Sequence, residues 1–369
     1  MCLVSRRRLL PTLFLLIGAN AWSAGPYFNI LDYGARNDGS APATEAIRSA
    51  IQAAKAAGGG TVYVPAGKYH TGPIELVSNL VFHVAAGATL RFPAERVPFT
   101  RGRHQGIECI TPVPLIGGRN LENVAITGRG VLTTDNAEWI KLMRPSAAGG
   151  AWEHLLQLLE LGKPVTEEDE RKAALGYRPS LIRTMDSRNV LIEGIHIVGS
   201  PMWAISLLYS DNVVVRDVII ETYDGVQADG IGVDSSRNVR ISNCYIDTGD
   251  DGIVLKSGKD SDGLRVNRPT ENVSITNCTV HRAHGAVTLG SETSGGIRNV
   301  VASNIVCQGT GMGVRMKSRR GRGGVIEDIR FDNWTMEDVG QAINLTNYYS
   351  NIVEVRTSQK PVSEHAPLF

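Results

Sequence analysis

Residues 238–256, "NVRISNCYIDTGDDGIVLK", carry the pattern that decides the fold. Apolar and polar residues alternate from Val239, a Ser-Asn pair interrupts them, and the alternation resumes until a second interruption at Gly249. Alternation with a period of two is typical of strands that bury one face. The stretch therefore predicts short strands separated by tight bends.

The same pattern occurs in six copies, which start between 23 and 34 residues apart. The copies are "NVLIEGIHIVG" from Asn189, "NVVVRDVIIET" from Asn212, "NVRISNCYIDT" from Asn238, "NVSITNCTVHR" from Asn272, "NVVASNIVCQG" from Asn299 and "DIRFDNWTMED" from Asp328. A unit of this length cannot bury its apolar face alone, so the units must stack on one another. The repeat predicts an all-β fold, a parallel β-helix in which each unit forms one coil.

An asparagine recurs at the bend of four successive units, at Asn243, Asn277, Asn304 and Asn333. Asparagine tolerates the left-handed backbone conformation, and its side chain can hydrogen-bond to the same residue in the next coil. We therefore expect a ladder of asparagines along one edge of the solenoid.

The cysteines are expected to be structural. Four lie beyond the N-terminal leader described below: Cys109, Cys244, Cys278 and Cys307. No C-x-x-C pair indicates a zinc site, and a chain of 369 residues does not depend on disulfides for its core. Cys244 and Cys278 follow the bend asparagines in the same register and are expected to stack. We expect neither a metal nor a cofactor.

The two ends of the chain differ from its repeating middle. Residues 44–57 predict a helix with one apolar face, which can cover the open first coil. Residues 135–177 predict a helical insertion, which either walls one end of a groove or lies on the surface without contacting substrate. No cap follows Tyr349, so we expect the last coils to be missing from this sequence or the edge to be covered by something else.

Residues 1–21 fit an export signal, with three arginines before a short apolar run and Ala19-Asn20-Ala21 as a cleavage site. The apolar run is too short to span a bilayer, so we expect no membrane association after its removal. The twin-arginine route and the general export route both remain open. We expect a secreted or periplasmic protein with a single β-helix domain over residues 22–369.

The charge balance argues against a nucleic-acid partner. Loss of the three leader arginines takes the formal net charge from +1 to about −2, so no global field attracts a polyanion. One basic run, Ser318-Arg319-Arg320-Gly321-Arg322, is short and is interpreted as a solvated loop. We expect a monomer.

A second set of strands aligns on its glycine or alanine and places charged residues on one outer face. The segments are "WAISLL" from Trp203, "DGIGVD" from Asp229, "DGIVLK" from Asp251, "HGAVTL" from His284, "MGVRMK" from Met312 and "QAINLT" from Gln341. Their third and fifth residues should face inward, including Ala286 and Thr288, and their fourth and sixth outward. The outward positions include Asp234, Lys256, Arg315 and Lys317.

This alignment predicts a catalytic constellation. Asp229 lies one coil before Asp250 and Asp251, so three carboxyl groups should share one patch, where like charge raises the pKa of at least one. One protonated and one ionised carboxyl group is what hydrolysis of a glycosidic bond requires. His284, one coil later, can tune the acid. Arg315 supplies a cation suited to a sugar carboxylate, as Lys317 does.

These residues resemble those of polygalacturonases in glycoside hydrolase family 28. "GDDGIVLKSG" is similar to the family's Gly-Asp-Asp stretch, Ala283-His284-Gly285 to its Gly-His-Gly, Arg315-Met316-Lys317 to its Arg-Ile-Lys and Asp229-Gly230 to the end of its Asn-Thr-Asp-Gly. The four matches occur in order, each one coil apart, and the resemblance extends over nearly the whole chain beyond the leader. The resemblance implies a right-handed parallel β-helix of the pectin-lyase-like type.

The resemblance also implies inverting hydrolysis of a pectic polysaccharide. Asp250 would be the general acid, while Asp229 and Asp251 would activate the water. Arg315 and Lys317 would bind the galacturonate carboxylate. The expected site further includes His284 beside the acid and Lys256 and Tyr348 as substrate contacts.

The sequence departs from the family pattern at Gln227-Ala228, Gly232 and Ala283. The catalytic side chains are retained, so the departures concern the sugar at the cleavage site more than the type of reaction. Three alternatives stay open at this point: a rhamnogalacturonan-type hydrolase, a calcium-dependent pectate lyase, and a carbohydrate-binding β-helix without catalysis.

Overall fold

A computed structural model describes residues 25–143 and 149–349. The predicted leader and residues 350–369, after which further coils were expected, lie outside these ranges. Within them the chain is a stack of coils built from parallel strands. No helix in these ranges is both long enough and apolar enough to cross a membrane.

Two sheets run along the stack, and a hairpin lies apart from them. The described helices are α1 (Thr44–Ala56), α2 (Asn136–Leu142), α3 (Ala151–Glu160), α4 (Glu167–Ala174) and α5 (Asp260–Val266), with a 3₁₀ turn at Ile30–Tyr33. Sheet A, the larger, contains Tyr27–Asn29, Asp38–Pro42, Gly60–Val64, Gly67–His70, Leu80–Val84, Ala88–Phe92, Glu122–Gly128, Val131–Thr134, Arg188–Glu193, His196–Val198, Asp211–Arg216, Ile219–Thr222, Arg237–Ser242, Tyr245–Thr248, Thr270–Thr276, Thr279–His281, Ile297–Gln308 and Ile326–Glu337. Sheet B contains Ile74–Glu75, Ile116–Arg119, Ile182–Met185, Ile205–Leu208, Ile231–Asp234, Ile253–Lys256, Gly285–Gly290, Met312–Lys317 and Gln341–Thr346. The hairpin consists of Phe99–His104 and Ile107–Pro112.

Each strand pairs in parallel with the equivalent strand one coil away. In sheet B, Ile205 pairs with Ile231 and Ile231 with Ile253, and Ile231 and Ile253 are fully buried. Side chains of the same kind thus stack inside the coils and form one continuous apolar core. The predicted parallel β-helix is confirmed.

The predicted asparagine ladder is present in sheet A: Asn243 and Asn277 lie between two short strands, and Asn304 and Asn333 occupy the same position within the longer strands Ile297–Gln308 and Ile326–Glu337. Asn243, Asn277, Asn304 and Asn333 have φ between 53° and 57°, in the left-handed region. Each Nδ2 donates to Oδ1 of the preceding asparagine, at 3.4, 3.1 and 2.7 Å along the column. The bend conformation and the hydrogen bond therefore require the same residue type.

A second ladder, which the sequence analysis did not predict, runs along the asparagines that begin the repeats. Asn123 donates to Asn79 at 2.9 Å, Asn189 to Asn123 at 2.9 Å and Asn212 to Asn189 at 2.8 Å. These residues also have positive φ. These asparagines recur in the sequence because each coil needs a residue that tolerates positive φ where the chain passes from sheet B to sheet A.

The four cysteines are buried and free, without a disulfide. Cys244 and Cys278 stack in neighbouring coils as expected, and each thiol also donates to a backbone carbonyl of its own bend, those of Ser242 and Thr276. Hydrogen bonding to Cys278 and burial together raise the pKa of Cys244. These thiols pack the interior of the bend.

The inward assignment at one strand is wrong by one residue. Ile253 pairs with Val287 and Leu255 with Leu289, so these residues continue the inner column, whereas Thr288 faces outward. The alignment had superposed His284-Gly285 on Asp251-Gly252. The register to the neighbouring coils is constant here, so Ala286, which is also buried, stands opposite Gly252 and Gly313, while Gly285 lies one position before them.

The N-terminal helix occupies the predicted place. α1 buries Ala46, Ile47, Ala50, Ile51 and Ala54 against the first coil, and Gly58, at φ 82°, follows its end. Sequence pattern and structure agree because one apolar stripe faces the open end of the core.

The predicted helical insertion contains α2, α3 and α4 and packs against the hairpin, which the sequence analysis did not predict. Ile107, Cys109 and Ile110 of the hairpin form a small core with Leu155 and Tyr177 of the insertion. We call the hairpin together with α3 and α4 the wall. Its tight turn at Gln105-Gly106, with positive φ at both residues, is typical of two-residue hairpins and was the available signal.

The wall is bound to the outer face of sheet B. Arg103 of the hairpin donates to Asp234 at 2.7 Å, and both side chains are almost completely buried. Asp234 was expected to face outward, and it does, but it faces the hairpin instead of solvent. His104 stacks on Tyr177 with ring centroids 3.7 Å apart, and burial lowers the pKa of His104 to about 3, so the ring is neutral.

The asparagine ladder predicts a specific stability difference. Asn277→Ala removes two ladder hydrogen bonds and places alanine at φ 55°, so we expect the free energy of unfolding to fall by about 2 kcal/mol. Asn277→Gly removes the same hydrogen bonds without the steric cost, and we expect it to lose about 1 kcal/mol less. Urea unfolding of the full chain measures both, and equal losses would contradict the role assigned to the backbone conformation.

Candidate active site

Three carboxyl groups meet on the outer face of sheet B, beside the wall. Asp229 ends the bend before one strand, and Asp250 and Asp251 end the equivalent bend one coil later. They line a cleft of about 350 Å³ together with cations from the opposite ends of the sheet B strands, Lys256 and Lys317, and from the segments that follow these strands, Lys259, Arg319 and Arg322. The stacking of coils has therefore brought the predicted carboxyl groups together.

Asp251 lies deepest and is held by two cations. Lys317 Nζ donates to its Oδ2 at 2.6 Å and Arg315 Nη1 to its Oδ1 at 3.2 Å. Thr288 Oγ1 donates to the same Oδ1 at 2.9 Å. Burial alone would raise the pKa of Asp251, but the charges of Lys317 and Arg315 outweigh it and the pKa is lowered. Asp251 is therefore ionised at neutral pH.

Asp229 is also buried but lacks a close cation. Lys256 Nζ is 4.0 Å from its Oδ2, and that ammonium donates instead to Glu292 at 2.8 Å. Burial, together with the neighbouring Asp250 and Asp251, raises the pKa of Asp229 well above its usual range despite Lys256. Two carboxyl groups of one patch thus have pKa values shifted in opposite directions.

Asp250 is the most accessible of the three. Its side chain is 24% exposed, against 5% for Asp229 and 1% for Asp251. His284 Nδ1 lies 3.2 Å from Asp250 Oδ1, and the backbone N–H of His284 donates to the Asp250 carbonyl at 2.9 Å. The predicted contact between these residues therefore exists, with the imidazole on the solvent side.

The remaining predicted residues are placed differently from one another. Lys317 lines the cleft, and Arg315 stands beside it, but both already bind Asp251. Lys256 lines the cleft and is paired with Glu292. The structure does not bring Tyr348 into the cleft lining. Its neighbour Tyr349 lies there instead, with its ring 5.1 Å from Lys317 Nζ.

Two departures from the family pattern have structural causes. The indole of Trp203 covers Gly232, and a Cβ at Gly232 would lie 3.0 Å from that ring, so a larger residue would have to displace it. Gln227 accepts a hydrogen bond from Arg178, at the end of the insertion, at 3.0 Å. Gly232 thus leaves room for the indole of Trp203, and Gln227 provides a hydrogen-bond partner for Arg178.

Sequence reasoning missed the cleft residues that follow the sheet B strands. Glu292, Lys259 and Arg322 come from loops that differ in every coil, so no repeat marks them. The basic run containing Arg319 and Arg322 was interpreted as solvated, which is wrong for Arg322. Its guanidinium is 4% exposed and donates to Asp260 at 2.8 Å.

The described residues contain no group of three histidine, cysteine or carboxylate side chains arranged to hold a metal ion.

Comparison with known proteins decides the family. Residues 166–364 match the model of glycosyl hydrolases family 28, and residues 27–89 match a rhamnogalacturonase A/epimerase, pectate lyase-like model. The chain belongs to family 28. It is 32% identical to a probable polygalacturonase from Vitis vinifera over 88% of this chain and 63% of that protein. With an exo-poly-alpha-D-galacturonosidase from Dickeya chrysanthemi it shares 29% identity over 88% of this chain and 57% of that protein.

A solved structure extends the comparison to the fold. A hyperthermoactive exopolygalacturonase from Thermotoga maritima superposes with a TM-score of 0.83 at 36% identity, covering 93% of this chain and 78% of that one. The resemblance to polygalacturonases is thus confirmed for family and fold. This family 28 chain spans roughly three fifths of the length of the two curated relatives, at 63% and 57%.

The opposite pKa shifts predict opposite effects of two isosteric substitutions. A carboxyl group with a raised folded-state pKa stabilises the fold while protonated, and this contribution is lost as the pH rises through that pKa. Asp229→Asn cannot ionise, so we expect parental stability near pH 4 and a growing gain in the free energy of unfolding toward pH 8. Urea unfolding across this range measures the difference.

Asp251→Asn is the matched comparison. A lowered folded-state pKa contributes stability above the unfolded-state value, so the loss should be constant between pH 5 and 8. We expect a loss of about 3–5 kcal/mol because Lys317 is left buried without its partner. The same sign of effect in both variants at pH 8 would contradict the assigned charge states.

Proposed function

We propose that this protein hydrolyses galacturonosyl bonds, α-1,4 or related, in pectic polysaccharide, with inversion. The observation that carries the proposal is the cluster of three carboxyl groups in a cationic cleft, with Asp251 ionised and the pKa of Asp229 raised. Family membership and the names of the relatives, polygalacturonase and exo-poly-alpha-D-galacturonosidase, support the substrate class.

Asp250 is the proposed general acid. It is the carboxyl group most accessible from the cleft, so it can reach the glycosidic oxygen of a bound chain. The charge of Asp250 contributes to the raised pKa of Asp229. In the substrate complex we assign a proton to Asp250, as the role of general acid requires, with His284 positioned to return it from solvent.

Asp229 and Asp251 are proposed to activate the water. Asp251 is locked as an anion and accepts hydrogen bonds, so it orients the water without taking its proton. Asp229 has the higher pKa and is the better base once ionised. Inversion requires the acid and base to be separated by roughly 6.5–9.5 Å, which allows a water molecule between base and sugar.

Substitution of the acid tests the mechanism. Asp250→Asn should reduce the release of reducing sugar from polygalacturonate by about 10²–10⁴-fold, the usual contribution of general acid–base catalysis. Asp229→Asn should have a comparable effect. Asp224→Asn, an exposed aspartate in the bend before Asp229, is the matched control and should leave the rate unchanged.

Three outcomes would contradict the proposal. Unchanged release in both catalytic variants would refute the mechanism. Unsaturated products that disappear with a chelator would indicate a lyase. Binding of oligogalacturonides without any product would indicate a carbohydrate-binding protein.

Exo action is the proposed mode of cleavage. Gln105, at the tip of the wall, lines the cleft, and Lys259 beside it donates its backbone N–H to the Gly106 carbonyl at 2.9 Å. The wall is fixed to sheet B through the buried Arg103–Asp234 ion pair. A polymer that occupies the cleft therefore meets the wall at one end, so only a chain terminus can be accommodated.

Product sizes test this mode. From the first minutes of digestion of polygalacturonate, we expect one small product, a monomer or dimer, while the viscosity falls slowly. Chromatography of early time points and viscometry measure this. An early series of intermediate oligomers with a rapid loss of viscosity would show that the cleft is open at both ends.

A further inference from the structure

The end of the cleft next to the wall has more cations than carboxylates. Arg322 Nε and Arg319 Nη2 both donate to Asp260, at 2.8 and 3.1 Å, so one carboxylate serves two guanidinium groups. Lys259, adjacent to Asp260 in the chain, adds a third cation to the same part of the cleft. Glu292 also lies at this end but is paired with Lys256 at 2.8 Å, so the remaining three positive charges and one negative charge leave an excess of two.

Lys259 is the least neutralised of the three cations. Its Nζ lies over the ring of Trp152 of α3, 5.7 Å from the centroid, and within the described residues it has neither an ion pair nor a hydrogen bond. Burial and the nearby Arg322 lower the pKa of Lys259. A partly buried ammonium without an anion is costly, and an anionic ligand would offset that cost.

The other cations of the cleft already have partners. Lys317 and Arg315 bind Asp251, and Lys256 binds Glu292. Lys317 and Arg315 share Asp251, but Asp229 and Asp250 adjoin the same cluster, so its cations do not outnumber its carboxyl groups. The unneutralised positive charge of the cleft is therefore located at the wall, away from the residues that the sequence resemblance had assigned to the sugar carboxylate.

The geometry points to a second carboxylate site: we propose that Lys259, assisted by Arg319 and Arg322, binds the carboxylate of the sugar unit at the closed end of the cleft. A free uronate fits this site, whereas a methyl-esterified unit has no charge to offer. Lys259 is then a specificity-determining residue for the terminal sugar. This inference rests on the proposed function, since it presupposes a galacturonate chain in the cleft.

The wall holds Lys259 in place. The hairpin tip approaches it so closely that a Cβ at Gly106 would lie 2.6 Å from Lys259 Cβ and 2.6 Å from Glu292 Cγ. Gly106 has φ 83°, a conformation that glycine adopts without strain. The tip, the lysine backbone and Trp152 thus form one packed unit, so the site exists only because the wall is docked on sheet B.

The test measures binding without turnover. In an Asp250→Asn background, isothermal titration calorimetry compares trigalacturonate with its methyl ester. Adding Lys259→Met should weaken binding of the acid by about tenfold or more, as expected for loss of a charge-assisted contact, and leave the ester unaffected. Lys259→Arg should largely restore the preference for the acid. Lys163→Met, at an exposed lysine of the insertion, is the control and should change neither affinity.

The outcomes separate this inference from the proposed function. If the unsubstituted protein releases sugar from polygalacturonate but Lys259→Met prefers the acid over the ester as strongly as its parent, the second carboxylate site is refuted and the function stands. If no sugar is released while Lys259→Met still abolishes the preference, the site stands and hydrolysis is refuted. Equal weakening of acid and ester would show that Lys259 only maintains the cleft and would overturn the proposal.

Discussion

Parallel stacking of the coils is the constraint on which the rest of the structure depends. Because every strand hydrogen-bonds to its equivalent about 4.8 Å away, a residue at one position of the coil must accommodate its counterparts above and below. Inside, this requirement produces columns of aliphatic side chains. At the bends it produces asparagine ladders, and on sheet B it sets Asp229 one coil from Asp250 and Asp251. The chemistry is therefore a consequence of the same register that builds the core.

The parts of the structure that follow this register were predictable from the sequence. The bend asparagines and the carboxylate patch lie at positions that the spacing of the repeats defines. α1 follows from the helical period of its own apolar residues. Prediction failed where the residue used for alignment was misleading. Matching Gly285 to Gly252 assigned Thr288 to the core, but Ala286 is the residue opposite Gly252, and Thr288 therefore faces outward beside Asp251.

The loops were the second limit of prediction, for a different physical reason. Glu292, Arg322 and Lys259 reach the cleft from segments whose conformations depend on tertiary contacts, such as the packing of Gly106 against Lys259. Charge pairing there cannot be derived from spacing. The sequence indicated no partner for Lys256, but in the structure Glu292 neutralises it. The cations that remain available for an anionic ligand are therefore those beside the wall.

The wall has a consequence for how such a protein diversifies. It joins the coil stack through side-chain contacts such as Arg103–Asp234, while the carboxyl groups stand on the strands and bends of the stack itself. The helical insertion leaves the strand register intact, since Ile116 before it still pairs in parallel with Ile182 after it. Selection, or a protein engineer, can therefore exchange the elements at the edge of the cleft while the carboxyl groups keep their positions.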